Sequence, residues 1–91
     1  MNVDLSTIKI VQNRFKLLRQ AANWTSQQVA DELGITRQTV ACIEGHKAPL
    51  TKSNCIAFLA ILEHRSKEVP DLMDIVRVVI DRNRKQHNIF S

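Results

Sequence analysis

Residues Val29–Gly45 read VADELGITRQTVACIEG. A lone glycine, Gly34, separates two short stretches in which apolar residues recur at helical spacing. Val29, Ala30 and Leu33 share a face before it; Val40 and Ile43 share a face after it. Gly34 suits the end of the first stretch, because a residue without Cβ takes positive φ at little cost. Thr36 is a good N-cap for the second, which runs from Arg37 to about Glu44 and ends at Gly45. At about 100° per residue, Gln38 and Cys42 point away from Val40 and Ile43. Ala41 lies between them and the outer edge, and Arg37 sits at the N-terminal rim.

Working outward, the helix before Gly34 should start at Ser26. Thr25 precedes it and Gln28 follows three residues later, the spacing of a capping box. Upstream, Ile8, Val11, Phe15, Leu18 and Ala22 predict one helix from roughly Ser6 to Ala22, closed by Asn23, which tolerates the left-handed conformation. Downstream, the loop GHKAPLT leads to a helix from about Lys52 to His64, capped by Thr51 or Ser53. Residues 56–62 of that helix are apolar nearly all round, so it should be buried on most sides. After a polar hinge, RSKEV, Pro70 suits the first position of a last helix reaching about Gln86. Its apolar residues, Leu72, Met73, Ile75, Val76, Val78, Val79 and Ile80, spread over more than half the circumference. One core accounts for a stripe of about 100°. The surplus has two readings: a second copy of the chain, or the core of the same chain. The tail RNRKQHNIFS is basic and expected to fray. Arg82, Arg84 and Lys85 would either grip DNA or satisfy the last carbonyls and the helix dipole.

The whole chain sets bounds. Its 91 residues make one domain with one modest core. Two Gly and two Pro argue against a β-rich or loop-rich fold. Three Phe, one Trp and no Tyr are too few for a base-stacking platform. A net charge of +4 fits a polyanionic partner without demanding one. No apolar run has the length of a membrane span. The opening MNVDLSTIKIVQ, with its early Asp4, is not expected to be a secretory signal. Cys42 and Cys55 form no disulfide framework, so a reduced, cytoplasmic setting is the expectation. Cys42, His46, Cys55 and His64 match no common zinc spacing, and no metal or other cofactor is expected. No nucleophile sits on a strained turn and no Gly-rich loop cradles a phosphate, which argues against an enzyme.

Two short helices around a tight glycine turn, within an all-helical chain, form a helix-turn-helix. In that motif the first helix braces across the DNA backbone. The second enters the major groove with its N-terminal residues at base edges. Arg37 has the donor fork for guanine O6 and N7; Gln38 pairs with adenine N6 and N7. Thr39 would reach a base or a phosphate, and Ala41 and Cys42 would suit a thymine methyl. On an isolated helix these would be ordinary solvated side chains; the motif around them favours base contact.

The stretch LRQAANWTSQQVADELGITRQTVACIEGHKAP resembles the Cro/repressor class of helix-turn-helix regulators, the XRE family. Its marks here are Leu18, Arg19, Ala30, Gly34, Thr36, Val40, Ile43, Glu44 and Pro49, within a resemblance spanning Arg14 to Leu62. The resemblance implies an all-α, five-helix, lambda-repressor-like fold with the second and third helices as the motif. It implies that Arg19 pairs with Glu44. It implies phosphate contacts from Thr25, Ser26 and Gln27 and from His46 and Lys47, where helix N-terminal N–H groups favour anions. Trp24 matches an anchoring position usually filled by Leu. Two departures stand out: Ser26 replaces the usual Gln, and the loop after Glu44 is one residue shorter.

The function expected is a sequence-specific transcriptional regulator of double-stranded DNA, a dimeric repressor occluding a promoter. Phage, mobile-element and restriction–modification settings use such proteins. Residues 1–66 would bind DNA and residues 67–91 would dimerise, through Leu72, Met73, Ile75, Val76, Val79 and Ile80. A dimer is favoured because one small headpiece makes few phosphate contacts. The competing function is an antitoxin or adaptor that holds a protein partner, a toxin or another regulator, through the last helix. No membrane partner is expected.

Overall fold

The computed structural model describes the backbone of residues 3–89 and the side chains of residues 3–82. Within these it holds six helices and no strand: α1 Leu5–Asn13, α2 Phe15–Ala21, α3 Ser26–Leu33, α4 Arg37–Glu44, α5 Lys52–Arg65 and α6 Leu72–Ile89. The all-α expectation holds. The expected helix-turn-helix corresponds to α3 and α4.

Three of the helices start on a threonine that accepts from the backbone N–H three residues on. Thr25 accepts from Gln28, Thr36 from Thr39 and Thr51 from Asn54. At α3 the capping box is complete, because the Thr25 N–H also donates to Gln28 Oε1 at 2.8 Å. Gly34 ends α3 with φ 70, and Asn23 ends the α2 region with φ 59, both left-handed. A Cβ on Gly34 would meet nothing within 4 Å, so the demand for glycine there is conformational, not steric.

Two boundaries differ from expectation. The first predicted helix is two helices, broken at Arg14 with φ −111 and ψ 15. No glycine or proline marks this break. Val11 before it and Phe15 after it are both 0% exposed in the core, on the face the spacing predicts. The last helix begins at Leu72, not at Pro70. Residues 66–69 make successive tight turns, and Asp71 takes a left-handed φ of 68 that no helical first turn allows. The side chains of Arg84 and Lys85 and the end of the basic tail lie outside the described residues.

One core unites the helices. Val11, Phe15, Leu18, Val29, Val40, Ile43, Phe58, Leu62 and Leu72 are essentially solvent-free. Phe15 stacks on Phe58 with ring centroids 4.1 Å apart. Helix α5 runs through this core with Cys55, Phe58, Leu59 and Leu62 buried, and burial pushes the Cys55 thiol above its ordinary value. Helix α6 packs on α1, α2 and α5. Leu72 and Val76 are buried by that packing, which corrects their assignment to a dimer face. What α6 leaves exposed is a flank carrying Ile75 and Val78, with Val79 half-buried beside them. Met73 and Ile80 are half-buried against the core. No helix among the described residues is long and apolar enough to cross a membrane.

Candidate nucleic-acid interface

Helix α4 buries Val40 and Ile43 and turns Arg37, Gln38 and Ala41 to solvent. Its amphipathic pattern therefore decides which side chains can meet a ligand. Thr39 and Cys42 lie at the boundary, half-buried. The hydroxyl of Thr39 is 2.8 Å from that of its cap, Thr36. Arg37, Gln38 and Ala41 join Ser26, at the start of α3, around an open cleft of about 590 Å³. The two helix N-termini thus converge on one concave surface. Of the residues named for phosphate contact, Thr25 caps α3 on the rim, and Gln27 is exposed, with Nε2 donating to Asp31 Oδ1 at 2.8 Å.

A second open cleft, of about 330 Å³, is lined by Gln12, His46, Lys47, Ala48 and Pro49. His46 takes a left-handed φ of 58 that turns the chain sharply after α4. The carbonyl of Cys42 accepts from the N–H groups of Lys47 and Ala48 at 2.8 and 3.2 Å. These bonds tie the loop to the end of α4 and keep His46 and Lys47 at the surface.

What holds α4 in place is polar as well as apolar. Arg19 is 9% exposed. Its Nε donates to Glu44 Oε2 at 2.7 Å, Nη2 to Glu44 Oε1 at 3.3 Å, and Nη1 to the Trp24 carbonyl at 3.0 Å. The guanidinium fork so fastens α2 to the last residue of α4 and to the segment entering α3.

Two further positioning residues carry no sequence signal. Gln12 donates through Nε2 to the carbonyls of Ile43 and Ala48 at 3.1 and 2.8 Å and accepts from the Leu50 N–H at 3.1 Å. These bonds tie the end of α4 to both sides of the loop that bears His46 and Lys47. Arg65 donates to the Ala22 carbonyl at 3.0 Å and lies 5.6 Å from the Trp24 ring centroid, which fixes the entry to α3 from behind. Only the partners, more than 30 residues away in sequence, reveal either role. Among the described residues, no group of three or more His, Cys, Asp or Glu side chains is placed to hold a metal ion.

A model of the helix-turn-helix family matches residues 15–63, just over half the chain, spanning α2 through most of α5. Neither the curated proteins nor the solved structures contain a significant match.

Proposed function

Because the chain belongs to the Cro/XRE-type helix-turn-helix family of DNA-binding transcriptional regulators, we propose that it is a dimeric repressor that occludes a promoter by reading an operator with α4. The observation that carries this reading is the shared cleft of Ser26, Arg37, Gln38 and Ala41, formed where the starts of α3 and α4 meet. Arg37 and Gln38 read base edges, guanine and adenine respectively, with Thr39 and Cys42 supporting at the flank of the groove. Thr25, Ser26 and Gln27 hold one phosphate region and His46 and Lys47 another, on either side of α4. The spread of these groups matches a helix seated in the groove between two backbone strands.

Residues 1–66 supply the DNA surface and residues 67–91 the association of two copies. Two copies would read half-sites about 34 Å apart on one face of the duplex. Phage, mobile-element and restriction–modification control regions are the settings this architecture suits. The exposed Ile75 and Val78 also favour a second reading, an antitoxin or adaptor that holds another protein on α6.

The test is a titration of the protein against a duplex from its own upstream region and against a scrambled duplex, at several salt concentrations. Arg37→Ala combined with Gln38→Ala should abolish the preference while leaving a steep salt dependence, since phosphate contacts remain. Equal binding of both duplexes, unchanged in the double variant, would overturn base reading by α4.

A further inference from the structure

Resting on the dimeric reading above, we propose that two copies of the chain pair antiparallel along α6, with Val78 at the two-fold axis and Asp74 of one copy facing Arg82 of the other. The strip concerned is the flank left open by the core. Asp71, Asp74, Ile75, Val78 and Val79 line a groove of about 360 Å³ on it. Helical spacing places Arg82 on the same strip, four residues after Val78 and seven after Ile75. Ile75 is 39% and Val78 53% exposed, neighbours on one face of the helix.

The charges along the strip decide the occupant. Its N-terminal end carries Asp71 and Asp74, its middle is apolar, and its C-terminal end carries Arg82 with Asp81 beside it. Asp74 and Arg82 are exposed, and neither forms an ion pair among the described residues. Eight residues apart on one helix, they stand about 12 Å apart along the axis, too far to pair within a chain. In an antiparallel pair, residues equidistant from the centre face each other. Asp74 and Arg82 lie four residues on either side of Val78, about 6 Å each way, so the two-fold brings each onto its opposite. The same operation sets Val78 against Val78, and sets Ile75 opposite Asp81, three residues on either side of the axis. Parallel pairing would instead place Asp74 on Asp74 and Arg82 on Arg82, a like-charge arrangement that disfavours assembly. The strip is complementary to its own inverted copy, which selects a second copy of this chain.

Charge exchange tests the register by sedimentation equilibrium, with helical content followed by circular dichroism. D74R alone and R82D alone should each weaken self-association by about tenfold or more, because each homodimer gains two like-charge contacts. An equimolar mixture of the two should recover association to within about threefold of the wild type, because every cross-pair is then opposite in sign. D74R also removes the acidic residue from the first turn of α6, where it favours the helix dipole. R82D is free of that effect, and a misfolded D74R chain would not rescue it in the mixture. A wild-type dimer that neither variant weakens, or that the mixture does not restore, would keep the dimeric reading and overturn the antiparallel register. A wild-type chain that stays monomeric at every concentration, with or without operator, would overturn both and assign the strip to a different protein. The operator titration stands apart from either result.

Discussion

Arg19 shows how one side chain sets the pose of α4. Its side chain and that of Glu44 keep only 10% and 14% exposure, and the guanidinium also satisfies the Trp24 carbonyl. Removing the Arg strands a carboxylate and a carbonyl in a poorly hydrated place. Arg19→Ala should therefore cost about 3 kcal/mol in urea unfolding, the low end for breaking a buried pair because some solvent reaches both groups. Arg19→Lys should recover little of this, since an ammonium cannot span both carboxylate oxygens and the carbonyl. The two thiols differ just as sharply. Cys55 is fully buried and holds its proton more tightly than a free thiol, whereas Cys42 is half-buried on α4. Alkylation of the folded protein at mildly alkaline pH should label Cys42 and spare Cys55 until the chain unfolds. The sign for stability follows from linkage. An acid whose folded pKa is raised contributes stability that is fully present below its unfolded value, 9.0, and is lost as pH rises through the folded value. Stability should decline above about pH 9 in part for this reason, and the decline attributable to Cys55 should vanish in Cys55→Ala.

At the scale of elements, the starts and stops follow from bonds three to four residues long. Thr25, Thr36 and Thr51 cap their helices and Gly34 turns the chain between α3 and α4. Thr25→Ala and Thr51→Ala should each cost about 1 kcal/mol in thermal or urea unfolding. Only Thr25→Ala should also weaken operator binding, because α3 starts at the proposed interface and α5 does not. Gly34→Ala should cost about 1 kcal/mol through its left-handed φ alone, since the space for a Cβ is empty. Such local signals were readable from residue type and spacing. The break at Arg14 and the start of α6 at Leu72 were not. At Arg14 nothing in the local sequence departs from helical pattern, so no spacing of residue types marks the break. At Pro70 the local preference for a first helical position yields to the turns of residues 66–69, with Val69 packed against the core.

For the whole molecule, α6 has two faces with different owners. Leu72 and Val76 belong to the core shared with α1, α2 and α5, while Ile75 and Val78 face outward. Leu72→Ala should cost about 3 kcal/mol, because it empties a fully enclosed site. Val78→Ser should change monomer stability by no more than about 0.5 kcal/mol while reducing self-association. Unfolding at low protein concentration, set beside sedimentation, separates the two. Equal destabilisation by both substitutions would contradict this division of the helix.

The chain's residues alone determined the helical class, the helix-turn-helix between Thr25 and Gly45, its threonine caps and the side of α4 that carries Arg37 and Gln38. Those depend on backbone preference and on periodicity within a few residues, and both are written in the local order of side chains. Tertiary structure decided the break at Arg14, the reach of Gln12 to the loop of His46 and Lys47, the clasp of Arg65 behind Trp24, and the division of α6 between core and surface. All but the first join segments far apart in the chain. Apolar spacing states which residues seek burial, but the partner that buries them emerges only when the helices pack.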